Sequence, residues 1–339
     1  MASIVLPVDS TLLRDGAHDG GIGLWEGWAA DGRPLLAAGS LALVAAGAFA
    51  WFLAITDQLL PHDLAWLSIS PAELRAVADG RLVDFMGHDR AAFGGTLIAI
   101  GILYLWLVRF PLGDGARWAW LTIAGSAGVG FLSFLSYLGT GYLDSWHGVA
   151  TLALLPLFCV GFWRSRVIGF RSQERDWQRG VSRTAPIGRA VVGRWLLLLT
   201  GAGMVTAGIT ITTIGALVVF VPQDLVFIGL DRAALDAIDK HLVPLIAHDR
   251  AGFGGGLATT GFVVMAVVWL DRPSRALWQA LALAGIAGFG AAIGVHGLIG
   301  YTDLTHVGPA ILGAALFAVG MALVRPSMFA PSLVSQVPG

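Results

Sequence analysis

Eight long apolar stretches leave this chain few choices of fold: Leu35 to Asp57, Ala91 to Phe110, Trp118 to Leu138, Trp146 to Trp163, Trp195 to Val221, Ala251 to Leu270, Ala276 to Gly300 and Val307 to Val324. A helix needs about 20 apolar residues to cross a bilayer core. Inside hydrocarbon every backbone polar group must be satisfied within the protein, which only helices and closed barrels achieve. The sequence therefore predicts an all-α integral membrane protein with eight transmembrane helices, and the lipid bilayer is its first expected partner. Only 13% of residues are charged, against about a quarter in soluble proteins. Those charges keep to the span ends, with Trp or Tyr at many boundaries, as interfacial anchoring requires.

Composition narrows the chemistry further. A net charge of -1 offers no basic excess to displace counterions from phosphates, so nucleic acid is excluded as a partner. Cys159 is the sole cysteine, which removes disulfides, iron–sulfur clusters and thiolate zinc sites. Any metal or haem has to be held by histidines and carboxylates.

Orientation follows from residues 164–194, where Arg164, Arg166, Arg171, Arg175, Arg179, Arg183, Arg189 and Arg194 outnumber Glu174 and Asp176. The positive-inside rule makes this loop cytoplasmic, which places both termini inside and the loops after spans 1, 3, 5 and 7 outside. The first 34 residues lack the apolar core of a cleavable signal peptide. The expected division is a cytoplasmic segment 1–34, a four-helix unit 35–163, the Arg-rich linker 164–194, a second four-helix unit 195–325 and a tail 326–339. A bacterial cytoplasmic (inner) membrane is the expected location.

The chain also matches itself. His88-Asp89-Arg90-Ala91-Ala92-Phe93-Gly94-Gly95 returns as His248-Asp249-Arg250-Ala251-Gly252-Phe253-Gly254-Gly255. Gly141-Tyr142-Leu143-Asp144-Ser145-Trp146-His147 is matched at Gly, Tyr, Asp and His by Gly300-Tyr301-Thr302-Asp303-Leu304-Thr305-His306. Pro61-His62-Asp63-Leu64 is matched by Pro222-Gln223-Asp224-Leu225. Three matches in order predict two tandem four-helix repeats, and an even number of spans per unit gives them parallel pseudo-two-fold symmetry about the membrane normal.

What the copies kept is polar and lies on one side of the membrane. Asp144 with His147, and Asp303 with His306, share a helix face by their spacing; they suit a metal ligand with an orienting carboxylate, or a helix N-cap. In the triplets, Asp89 and Asp249 are expected to cap the second and sixth spans or to pass protons. Arg90 and Arg250 are expected to reach a carboxylate or lipid phosphate, and His88 and His248 to face inward. The Phe-Gly-Gly runs imply close approach of a neighbouring helix or a flat cofactor. Tyr142 and Tyr301 read as interfacial anchors. Seven of the eight histidines, His62, His88, His147, His241, His248, His296 and His306, fall at the outer side.

Two four-helix halves, with His in the second and fourth span of each and long outer loops after spans 1 and 5, resemble heme A synthase over about residues 35–325. That resemblance implies a haem-binding pair His88/His147 in the first half and a pair His248/His306 in the second. The acidic residue that the family places shortly before its first-half His would correspond to Asp84. The match is one of layout: the family's Glu is Asp here, Asp89 stands between His88 and Arg90, and Phe-Gly-Gly is not a family feature.

Together these observations predict a membrane-bound oxidoreductase or cofactor-processing enzyme. It would hold haem or a divalent metal ion through His88, His147, His248 and His306, with Asp144 and Asp303 at the metal and Asp84, Asp89 and Asp249 as acid–base groups. A small-molecule or quinone-like substrate is the expected partner. A proton-coupled transporter and a non-catalytic subunit of a membrane complex are the competing expectations.

Overall fold

The computed structural model describes residues 31–133, 135, 137–142, 145–169 and 188–330, and among these every regular element is helical. Eight helices are long and apolar enough to cross a membrane, and the chain is a polytopic membrane protein. In the first half these are α1 (Arg33–Ile55), α4 (Arg81–Arg109), α5 (Arg117–Ser133) and α7 (Ser145–Gly169). The second half has α8 (Arg189–Leu217), α11 (Leu242–Leu270), α12 (Arg275–Ile299) and α13 (Leu304–Met328). Between the first two spans of each half lie short helices, α2 (Pro61–Trp66) and α3 (Pro71–Ala76), then α9 (Pro222–Ile228) and α10 (Arg232–Ile238). A single turn, α6 (Tyr137–Thr140), follows α5.

Helix α4 and helix α11 form the centre, with 78% and 61% of their apolar windows buried against 11–31% for the other spans. Each lies along the first span of its own half, α4 on α1 and α11 on α8. The third spans cross over, so that α12 packs on α4 and α5 on α11. Lipid tails are as apolar as leucine, so such helices associate through close packing of small residues. Glycine supplies it here. A Cβ on Gly94 would fall 2.7 Å from the Gly47 carbonyl oxygen of α1, and one on Gly208 would fall 2.5 Å from the Gly254 oxygen of α11. The Phe-Gly-Gly glycines thus serve helix approach: a Cβ on Gly95 would meet Ala291 of α12 at 2.7 Å.

The short helices form a cap over one end of the bundle, and the two halves are tied there. The Trp66 indole N–H donates to the His241 carbonyl at 3.2 Å, the Ser68 N–H to Asp239 at 2.6 Å and Arg81 to the Phe227 carbonyl at 3.2 Å. Beneath the cap, Leu82, Phe85, Met86, Leu242, Leu245 and Ile246 are buried in one apolar cluster. These residues explain a difference from the sequence reading. Helix α4 starts at Arg81 and not Ala91, and α11 at Leu242 and not Ala251, because the residues before each His-Asp-Arg triplet already carry a buried helical face. The triplets therefore lie well inside their helices, and Asp89 and Asp249 cap nothing; Gly80 and His241 occupy the N-cap positions.

Replacing Gly94 by Ala forces α1 from α4 and should cost about 1–3 kcal/mol, as overpacking does. A Cβ on Gly203 meets nothing within 4 Å, so Gly203→Ala should leave the melting temperature of the detergent-solubilised protein unchanged or raise it, while Gly94→Ala lowers it.

Candidate functional site: a histidine cluster on a buried ion-pair lattice

Beneath the cap, carboxylates and guanidinium groups interlock across the two halves. Asp63 sits in the first turn of α2 and accepts from the Leu60 N–H at 3.3 Å; Asp224 sits likewise in α9 and accepts from the Val221 N–H at 2.8 Å. Arg90 donates to Asp63 and to Asp249, both at 2.8 Å. Arg250 donates to Asp224 at 2.5 Å, to Asp89 at 3.3 Å and to the Val219 carbonyl at 2.8 Å. Tyr142 and Tyr301 donate their hydroxyls to the other carboxylate oxygens of Asp63 and Asp224, at 2.5 and 2.8 Å. Both tyrosines are buried, so they are lattice members and not the interfacial anchors expected. The carboxylates of Asp89 and Asp249 likewise serve as partners of the arginine from the opposite half.

Such a lattice is stable only while its charges are matched, because an uncompensated buried charge is strongly destabilising. Burial alone pushes the Asp224 carboxyl up, but Arg250, the Val221 N–H and Tyr301 outweigh it and hold it below the ordinary carboxylate range. The Tyr301 phenol is pushed well above its usual value by burial and by the neighbouring Asp224. The carboxylates of Asp63, Asp89 and Asp224 also have His62, His88 and His306 at 3.4, 3.5 and 3.8 Å, and with all carboxylates ionised and these imidazoles neutral, the four carboxylates, Asp249 included, outnumber the guanidinium groups of Arg90 and Arg250. Two negative charges are left over within this set.

The histidine cluster lies on the Asp89 and Asp224 side of that lattice. His88 comes from α4, His296 from the last turns of α12 and His306 from the first turn of α13. Gly300, with φ 76°, adopts the left-handed turn between the last two. One ring nitrogen of each lies within 4.8 Å of the others, and their ring centroids are 4.9–5.9 Å apart. The His88 Nδ1–H donates to the Phe85 carbonyl at 2.7 Å, and the His296 Nδ1–H to the Ala292 carbonyl at 2.5 Å. Because a carbonyl can only accept, these bonds put a proton on each Nδ1, and in the neutral ring the lone pair is then on Nε2. The His296 Nε2 is buried and has no hydrogen-bond partner among the described residues. The His88 Nε2 stands 3.5 Å from the Asp89 carboxylate, and the His306 Nδ1 stands 3.8 Å from that of Asp224. Lone pairs and carboxylates turned toward one small volume call for a positive charge. Tyr301 stacks on His306 at 4.4 Å and closes one side.

These partners differ from the pairs expected within each half. His306 meets His88 and His296, whereas His248 stacks on Tyr137 at 3.7 Å and abuts Tyr142 at 5.1 Å. The crossing of α12 onto α4 and of α5 onto α11 is the reason. Asp144 and the His147 side chain lie outside the described residues. Asp303 is exposed and caps α13, accepting from the N–H groups of Thr305 at 2.9 Å and His306 at 3.1 Å; it orients the helix that presents His306, and so its expected role as a ligand gives way to a cap. Asp84 is partly exposed on the first turn of α4. His296, Tyr301, Asp63 and Asp224 were not among the expected site residues. Three of them stand in the repeated motifs, and retention in both copies was their available signal.

Replacing Arg250 by Met strands Asp89 and Asp224 and should cost about 3–5 kcal/mol, read as a lower melting temperature and folded yield. Combining it with Asp89→Asn and Asp224→Asn should recover much of that loss. No protein-family model, no curated protein and no solved structure matches this chain, and its functional reading rests on the geometry just described.

Proposed function

We propose that the protein is a metal-dependent membrane oxidoreductase whose centre is a divalent transition-metal ion held by His88, His296 and His306. The observation that carries this is the convergence of three imidazole nitrogens within 4.8 Å, two of the rings having their Nδ1–H tied to backbone carbonyls. Ligating histidines commonly have such outer partners, and neutral imidazole suits zinc, copper, iron or nickel. A divalent ion there would also cancel the two excess negative charges of the lattice, which Asp89 and Asp224 bring to its edge. Three protein ligands leave a further position open, as in catalytic metal sites; when bound, the ion supplies electron transfer or Lewis acidity at that position. Tyr301 and the adjoining carboxylates would hold and move protons beside it.

An ion fits this cluster better than haem. A porphyrin between two imidazoles needs their ligating nitrogens about 4 Å apart on opposite faces of an open slot, and three converging rings leave no such slot. The heme A synthase likeness is accordingly carried here as one of layout. A transporter would need a polar path through the membrane, whereas the cavity between α1, α4, α5, α7 and α11 is walled mostly by apolar surface, which favours the enzyme reading.

The same reading takes the halves as tandem repeats about a pseudo-two-fold axis along the membrane normal. Its support is the reciprocal pairing of Arg90 with Asp63 and Asp249, and of Arg250 with Asp224 and Asp89. The Arg-rich segment 164–194 favours cytoplasmic termini and a site near the outer face of a bacterial inner membrane.

Protein purified without chelators should carry about one transition-metal ion per chain by elemental analysis. His88→Ala and His296→Ala should lose it while remaining folded. Wild-type protein that neither contains nor takes up zinc, iron or copper would overturn the proposal, and a haem absorption band would replace the ion with a porphyrin.

A further inference from the structure

A cavity of about 140 Å³ lies between α1, α4, α5, α7 and α11, on the membrane side of the His248–Tyr137 stack and apart from the His88 cluster. Its wall follows α4 from Phe93 to Tyr104, about 16 Å at 1.5 Å per residue. Leu43, Leu97 and Phe158 line it, and glycines at 39, 130, 252 and 256 leave it open. Four of the five hydroxyl side chains on the wall, all but Thr151, are engaged with protein partners. Ser133 donates to the Gly130 carbonyl at 2.7 Å, Thr259 to the Gly255 carbonyl at 2.9 Å, and Tyr104 and Ser126 bond each other at 2.6 Å. The cavity thus asks for an apolar guest; an apolar cavity of about 150 Å³ takes up a benzene-sized one.

The end nearest the cap differs. A Cβ on Gly252 would fall 2.5 Å from the Tyr137 hydroxyl oxygen, so this hydroxyl overhangs the glycine ledge where the cavity ends. Tyr137 is stacked on His248, and Tyr142 stands edge-on to the same imidazole with its hydroxyl on Asp63. A long apolar slot therefore ends at aromatic rings with hydrogen-bonding groups, next to a carboxylate lattice.

We infer that this cavity receives the ring-proximal isoprenoid unit of a prenylated quinone or quinol, the rest of the tail leaving between α1, α5 and α7 toward lipid and the oxygen-bearing ring lying beyond the cavity's end, against Tyr137 and His248. The assignment rests on the oxidoreductase reading above and supplies its substrate class. It does not require that His88, His296 and His306 hold the metal. A phospholipid acyl chain would satisfy the slot but not its aromatic end, and this separates the two guests.

The test uses the whole protein in detergent, titrated with a decyl-tailed benzoquinone and, separately, with decanol. Gly130→Leu and Ala127→Leu fill the slot; a Cβ at Gly130 has its nearest neighbour, the Thr259 hydroxyl, at an ordinary 3.5 Å. The quinone should bind the wild type at least tenfold more tightly than decanol. Either filled variant that keeps the wild-type melting temperature should lose about tenfold or more in quinone affinity, a change of about 1.4 kcal/mol. Tyr137→Phe should weaken the quinone and leave decanol unchanged. No quinone binding, equal binding of decanol, or full binding by a folded filled variant would overturn the inference. Metal content, measured on the same samples, reports on the His88 cluster separately, so failure of either site is recognisable by itself.

Discussion

The ion-pair lattice between α4 and α11 sets the terms for the rest of the molecule. Arginine and aspartate side chains within membrane helices are expensive and persist when they face the interior and pair with one another. Here each arginine bridges a carboxylate on the cap and a carboxylate on the other central helix. The cap helices are thereby fixed to the spanning helices, and the first half to the second, by the same two guanidinium groups. Neither half can satisfy its own triplet, because Asp89 needs Arg250 and Asp249 needs Arg90.

The histidine cluster inherits its position from that arrangement. His88 is one residue from Asp89 and two from Arg90, so its helix is held in rotation by the lattice. His306 follows Tyr301, whose hydroxyl is fixed on Asp224, and its helix start is set by the Asp303 cap. His296 is carried by α12, which packs on α4. Three imidazoles thus come from helices that the lattice or its neighbours hold in place, as the proposed metal site would require.

The spans were legible in the sequence because hydrocarbon thickness dictates their length. Their starts at Arg81 and Leu242 were not, since His88, Asp89 and Arg90 look like a membrane boundary when charge is weighed without knowing its partners. The matching motifs singled out Asp63, Asp89, Arg90 and Tyr142 together with their counterparts, but gave neither their role in a lattice nor who meets whom. Self-comparison aligns one copy with the other and is silent on whether they exchange elements. It also conceals His296: the residue the same distance before Gly141 is Tyr137, so a search for matched histidines passes over it. The unmatched position is where the two copies divide, with a third histidine beside His88 and a tyrosine beside His248.

That division gives the proposed sites different chemistry on one shared electrostatic frame. At about 4 Å, unit charges interact by roughly 4 kcal/mol even at an effective dielectric constant of 20, so a cation gained or lost beside Asp89 and Asp224 is felt by Arg250 directly. Through the cross-pairing, the carboxylates of one half are balanced by the arginine of the other. On the proposed reading, metal binding at His88, His296 and His306 offsets the excess of the four lattice carboxylates over Arg90 and Arg250. The ion is then part of what holds α4, α9 and α11 together, and losing it would loosen the lattice as well as empty the site. His248 and Tyr142 reach the same lattice through Asp63, so a ligand at the apolar cavity and an ion at the histidine cluster would act on one set of buried charges from opposite sides.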